Sequence, residues 1–114
     1  AGHVNVLVDQ HIDMARRMAK RIQSEPKLEL MAPAAINIVC FRYRGQGGTE
    51  EELRALNTEI MLRIQESGLA VPTDTTLRGR HSLRAAITNH RTRPEDLDVL
   101  IDAVLRHGDA LQAG

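Results

Sequence analysis

The sequence is poor in the residues that most often announce a chemistry. Its 114 residues include one cysteine (Cys40), one phenylalanine (Phe41), one tyrosine (Tyr43) and no tryptophan. A single cysteine excludes an internal disulfide and fits a reducing compartment, so the expected location is cytoplasmic. Two aromatics cannot build the base-stacking platform of an RRM or OB-fold. No charge of one sign prevails either, since 15 Lys and Arg balance 15 Asp and Glu. That balance removes the bulk field that draws a protein to nucleic acid or to an anionic membrane. The longest apolar stretch, Met31 to Phe41, is broken by Pro33 and Asn37 and is too short to span a bilayer. The first residues lack the basic-then-apolar pattern of a secretory signal. What is present is 42% hydrophobic residues, enough for the core of one domain over residues 1–114.

The hydrophobic spacing predicts the element order. From about Val6 to Ser24, Val8, Ile12, Ala15, Ala19 and Ile22 recur at alternating steps of four and three, one apolar helical stripe. Arg16, Arg17, Lys20 and Arg21 lie off that stripe and read as a solvated face, and Pro26 ends the helix. Lys27 to Leu30 alternates as a half-buried strand does. Ala35 to Arg44 is apolar on both faces in its middle and reads as an interior strand, followed by the glycine connector Gly45-Gln46-Gly47-Gly48. Thr49-Glu50-Glu51-Glu52 is a capping box for a helix with Leu53, Leu56, Ile60 and Ile64 inward, ending at Ser67-Gly68. Strands over Thr73–Leu77 and Ser82–Thr88 flank a hairpin turn at Arg78-Gly79-Arg80. Thr92-Arg93-Pro94-Glu95 is a second capping box, opening a helix that buries Leu97, Leu100, Ile101 and Val104 and ends at His107-Gly108. The order α-β-β-α-β-β-α gives an α+β fold, a mainly antiparallel four-stranded sheet with helices packed on one face.

Chemistry is scarce along this frame. His3, His11, His81, His90 and His107 show neither the i, i+4 spacing of a zincin nor a cysteine partner, so no metal site is expected. Cys40 lies mid-strand with no base or helix N-terminus beside it in sequence, which reads as buried and inert. The acidic residues cluster in the first turns of helices, where they oppose the helix dipole. One cluster stands out: Arg78, Arg80, Arg84, Arg91 and Arg93. Arg84 sits inside the apolar run Leu83-Arg84-Ala85-Ala86-Ile87, and a guanidinium there must reach an edge or meet an anion. Two readings stand side by side: a salt bridge to a helix carboxylate, or recognition of a carboxylate or phosphate at a domain interface.

Several stretches together carry a resemblance. Ala35-Ile36-Asn37-Ile38-Val39-Cys40-Phe41-Arg42-Tyr43 runs into a glycine-rich break. Val71-Pro72-Thr73-Asp74-Thr75-Thr76-Leu77 and Gly79-Arg80 are followed by Leu83-Arg84-Ala85-Ala86-Ile87-Thr88-Asn89-His90-Arg91-Thr92. Upstream stand Met14-Ala15-Arg16-Arg17-Met18-Ala19 and Leu28-Glu29-Leu30-Met31-Ala32-Pro33. In order and spacing these resemble the small C-terminal domain of the group II pyridoxal-phosphate-dependent amino-acid decarboxylases, the aromatic-L-amino-acid and histidine decarboxylase family. The resemblance covers nearly the whole chain. It departs at His81-Ser82 and Ala85, where many members carry bulkier residues.

The resemblance implies a piece of a carboxy-lyase of the fold-type I class that converts an L-amino acid, by default an aromatic one, to its amine and CO₂. It implies pyridoxal 5'-phosphate held by a large domain of the same protein, and a homodimer. Lys20 and Lys27 are the only lysines, and neither stands in the family's cofactor-lysine context. No catalytic, cofactor-binding or metal-binding residue is therefore expected in this chain, which alone should be inactive. Arg84 is the residue nominated to support a substrate site or interface. The start at Ala1-Gly2-His3, just ahead of a helix, fits a cut linker. The alternatives are a stand-alone, non-catalytic oligomerisation or partner-binding module of the same fold, and a small-molecule-binding regulatory domain.

Overall fold

The computed structural model describes residues 2–33, 37–66, 73–86 and 93–113, with residues 2–11 and 94 described by backbone alone. The elements are α1 (Gly2–Ser24), β1 (Leu28–Leu30), β2 (Ile38–Tyr43), α2 (Glu50–Glu66), β3 (Thr73–Leu77), β4 (Arg80–Ala86) and α3 (Pro94–Ala113). The strands pair antiparallel in the order β1-β2-β4-β3. This is the α+β fold and element order expected from the sequence, with β2 interior as its two-sided apolar middle requires.

Alternation along β2 separates the two faces of the sheet. Val39, Phe41 and Tyr43 turn to one side and are buried, joined there by Leu28 of β1 and by Leu83 and Ala85 of β4. Against them pack Ala15, Met18 and Ile22 of α1, Ile60 and Ile64 of α2, and Ile101 and Val104 of α3 in one continuous core. Ile38, Cys40 and Arg42 turn to the other side. No helix among the described residues is long and apolar enough to cross a membrane.

The local signals act much as their chemistry demands. The α2 capping box is reciprocal: the Glu52 amide donates to Thr49 Oγ1 at 3.1 Å and the Thr49 amide donates to Glu52 Oε1 at 3.2 Å. Arg78 and Gly79 both take positive φ, +52° and +80°, the conformation of a two-residue turn whose twist matches its strands. At α3 the reciprocal bond runs one residue later than expected, from the Arg93 amide to Asp96 Oδ2 at 3.0 Å. Thr92 lies outside the described residues, as do the helix stop at Ser67-Gly68, the Val71-Pro72 pair, and Ile87 to Arg91 of the Leu-Arg motif.

Three expectations are corrected. First, α1 begins at Gly2 rather than near Val6, since nothing between them breaks a helix. Second, Arg21 is not simply solvated: it pairs with Asp98 at 2.9 Å and with Asp102, tying α1 to α3. Third, α3 runs through His107-Gly108 to Ala113. Gly108 is buried inside the helix because the Tyr43 ring lies against it; a Cβ at this position would stand 2.5 Å from Tyr43 Cδ2 and Cε2. The glycine serves close approach, not termination.

Gly108→Ala separates these two roles. Helix propensity alone would make alanine the better residue by about 1 kcal/mol. Overpacking against the ring should instead cost about 1–3 kcal/mol. Urea unfolding reads the sign, and a gain in stability would remove Tyr43 from contact with Gly108.

Candidate functional site

The sheet face turned away from the helices carries the polar residues that the strands can bring together. Register fixes their neighbours: Glu29 lies opposite Arg42, Cys40 opposite Arg84, and Ile38 opposite Ala86. Across the other ladder Thr73 faces Arg84, Thr75 faces Ser82, and Leu77 faces Arg80. Cross-strand pairs share a face, so Arg42, Arg80 and Arg84 all stand on this one.

Two of the three arginines are fully engaged. Arg42 is only 3% exposed. Its Nε donates to Glu29 Oε1 at 2.9 Å and its Nη1 to Glu50 Oε2 at 2.8 Å. Arg80 reaches the same two carboxylates, with Nη2 3.0 Å from Glu29 Oε2 and Nε 3.4 Å from Glu50 Oε1. Each carboxylate thus bridges both guanidinium groups in a closed ring of four charges that joins β1, β2, β4 and the first turn of α2. Hydrogen bonds from Arg42 hold the Glu29 and Glu50 carboxyls below the usual carboxylate range, against the cost of burial. Burial and these bonds pull Arg42 in opposite directions, and it ends above its ordinary value.

Arg84 stands apart from that ring. It is half-buried beside Cys40, and among the described residues it enters no ion pair. The helix-carboxylate salt bridge that its sequence context suggested is therefore made by Arg42 and Arg80 instead. Cys40 is half-exposed, not buried as expected. Partial burial pushes its thiol up, with Arg84 pulling the other way, so the thiol is not activated. Sequence reasoning missed Arg42, although the alternating Leu28-Glu29-Leu30 strand and an arginine inside an apolar strand were both visible signals.

The remaining polar residues hold the fold together. His81 is buried with Nε2 3.1 Å from Asp74 Oδ2 and with Nδ1 unpartnered. His107 is half-buried, and burial together with Arg106 and Arg63 pushes its pKa down. Lys27 pairs with Asp109 at 2.9 Å, and the same Asp109 oxygen accepts from the Tyr43 hydroxyl at 2.6 Å. Burial and Asp109 raise the Tyr43 phenol well above its ordinary value. Lys20 is exposed on α1. Arg93 caps α3 and Arg78 sits in the turn, whereas Arg91 and His90 lie outside the described residues. No group of three or more His, Cys, Asp or Glu suited to a metal ion occurs among the described residues.

This fold has counterparts among known proteins. No protein-family model matches the chain. Tyrosine decarboxylase 4 of Petroselinum crispum is 24% identical over 114 residues, which covers 96% of this chain and 22% of the relative. Tryptophan decarboxylase 1 of Oryza sativa is 31% identical over 80 residues, covering 67% of this chain and 16% of the relative. Among solved structures, Oryza sativa TDC with PLP superposes at a TM-score of 0.89 and 21% identity, covering 96% of this chain and 24% of that one. The class is thus the α+β small domain seen in pyridoxal-phosphate decarboxylases. More narrowly, the homologues and structural neighbours named for tyrosine or tryptophan are group II aromatic amino-acid decarboxylases, and this chain matches one portion of them. It spans about a fifth of the length of the curated relatives it matches.

Two predictions follow from the charges. Glu29→Gln leaves Arg42 buried with Glu50 alone, which should cost about 1–3 kcal/mol, less than a full buried-pair loss because Glu29 is partly exposed. Equal urea midpoints for mutant and wild type would show the ring to be idle. The second concerns pH. His107 has a folded pKa below its ordinary 6.5, so the unfolded chain binds the proton first. Stability should fall as pH drops from 6.5 through the lower folded value, then level off. Glu29, Glu50 and Asp109 are also depressed, below 4.5, 4.5 and 3.8. Their contribution is complete above those values and is lost as pH falls through the folded ones. Thermal melts between pH 7 and 3 should show both steps, and His107→Gln should abolish the upper one.

Proposed function

We propose that the chain is the C-terminal small domain of a pyridoxal-phosphate-dependent carboxy-lyase that converts an aromatic L-amino acid to its amine and CO₂. The observation that carries this reading is coverage: nearly all of this chain superposes on about a quarter of a plant decarboxylase, with the element order α-β-β-α-β-β-α that its sequence predicts. The parent is a cytoplasmic homodimer in this reading, with pyridoxal 5'-phosphate and the amino-acid substrate held by its large domain.

The residues of this chain do not fit the cofactor. A Schiff-base lysine must stand free in a cleft with a phosphate cradle and an acidic partner for the ring nitrogen. Lys27 is committed to Asp109 on the surface, and Lys20 is exposed on α1. No step of the reaction is therefore assigned to these residues, and the isolated chain is inactive. Arg84 has a supporting role at an interface or opposite an anion, away from the reacting atoms.

Protein made from the complete reading frame and supplied with pyridoxal phosphate tests this directly. Release of CO₂ and amine from L-tyrosine or L-tryptophan is expected, with none from the 114-residue chain. Absence of both cofactor uptake and turnover in the complete protein would overturn the reading and favour a non-catalytic binding or oligomerisation module.

A further inference from the structure

The two edges of the sheet are held very differently. β1 has only three residues, yet Leu28 is buried in the core and Glu29 joins the charge ring. Its ends are tied as well: the Met31 amide donates to the Cys40 carbonyl and the Arg44 amide to the Lys27 carbonyl. β3 is longer, with five residues, but none of them is buried and none enters the apolar core. Register explains the difference. Asp74 and Thr76 take the helix face, opposite Leu83 and His81, while the one apolar residue, Leu77, lies opposite Arg80 on the other.

Among the described residues, two side-chain contacts fasten β3 besides its ladder to β4. Arg54 Nη2 lies 3.5 Å from Thr76 Oγ1, at the limit of a hydrogen bond. His81 Nε2 lies 3.1 Å from Asp74 Oδ2, a diagonal contact across the ladder. The His81 side chain is buried, and its Nδ1 has no partner. A buried N–H without an acceptor is costly, so the proton of the neutral ring belongs on Nε2, where Asp74 accepts it. At the turn, Arg78 is held at φ +52°, a left-handed conformation that disfavours a side chain.

We propose that β3 is a detachable strap: it opens from β4 as a unit while the rest of the domain stays folded, pivoting at Arg78-Gly79, with the Asp74–His81 bond as its latch. Closing orders five residues without core burial, so the balance rests on the ladder and the latch. Release also relaxes Arg78. It bares the outer backbone edge of β4 beside Ser82 and Leu83, both fully buried when the strap is closed, and an unpaired edge is a template on which another strand can add. Every group in the device lies within this chain, whatever surrounds it in a longer protein.

β4 carries its own control, because the amides of a central antiparallel strand alternate between its two neighbours. Native-state hydrogen exchange of the complete protein, resolved to single residues by fragmentation in a mass spectrometer, reads both sets at rising sub-denaturing urea. The amides bonded to β3 should exchange about a hundredfold faster than those bonded to β2, and with a shallow urea dependence because little surface is exposed. The β2-facing set should show the steep dependence of global unfolding. Gly108→Ala, which weakens the domain far from the strap, should speed the β2-facing set alone. Asp74→Ala should speed the β3-facing set about tenfold, the weight of a hydrogen bond to a charged group. Asp74→Asn keeps an acceptor for Nε2 and should restore most of the protection. A single rate and a single steep slope for both sets would overturn the strap, since β3 would then leave only with the whole domain. An unchanged β3-facing set in Asp74→Ala would overturn the latch. If the variants fail to fold, the two wild-type slopes still decide.

Discussion

The fold converges on one side chain, Tyr43, at the end of the central strand. Its ring lies against buried Gly108, and its hydroxyl donates to Asp109 one residue further on, so α3 is held at a fixed height over the sheet. Its backbone is the more demanding part. Tyr43 extends past the last register pair of β2 with β4, Phe41 opposite Leu83, which would strand a buried N–H and C=O. Asn57, fully buried on α2, takes the place of the missing strand: its Oδ1 accepts from the Tyr43 amide at 2.8 Å and its Nδ2 donates to the Tyr43 carbonyl at 3.0 Å. An amide side chain copies the donor and acceptor of a peptide unit, and a buried pair left unmet would cost several times what one such bond contributes. β2, α2 and α3 are thus referenced to a single residue.

From that anchor the alternation of β2 does the rest. Every second residue feeds the core, and the intervening ones fall on the opposite face, which the first turn of α2 reaches through Glu50. At one end of that face a four-charge ring offsets the burial of Arg42 with two carboxylates, each shared with Arg80. Such a ring contributes less through Coulomb attraction than through geometry, since a lone partner would leave the buried guanidinium unsatisfied. At the other end Arg84 has no carboxylate partner among the described residues. The helix side is closed by one continuous apolar core, whereas the sheet side carries the charges.

Most of the architecture was legible in the sequence because its signals are local. The stripe of Ala15, Ala19 and Ile22, the Thr49–Glu52 capping box and the Arg78-Gly79 turn each act within a few residues, and each appears in the structure. What sequence could not supply were contacts between distant segments. Gly108 reads as a helix stop until Tyr43, some sixty positions earlier, is placed on it. Arg21 reads as solvated until Asp98 and Asp102 arrive from α3. Arg42 and Arg84 look alike, each an arginine in an apolar strand, and only the register with Glu29 and the reach of Glu50 tell them apart. The resemblance to decarboxylases came through motif and order, and it identified the fold more surely than it identified any working residue.

The central claim is that this domain functions as part of a much larger pyridoxal-phosphate enzyme. The most direct measurement is the intact mass of the native protein, captured from its own cells with an antibody against this domain. The account predicts a polypeptide several times larger than 12.7 kDa, in keeping with a chain that spans about a fifth of its relatives. A native protein of about 12.7 kDa would contradict it and leave a small module with no enzyme around it.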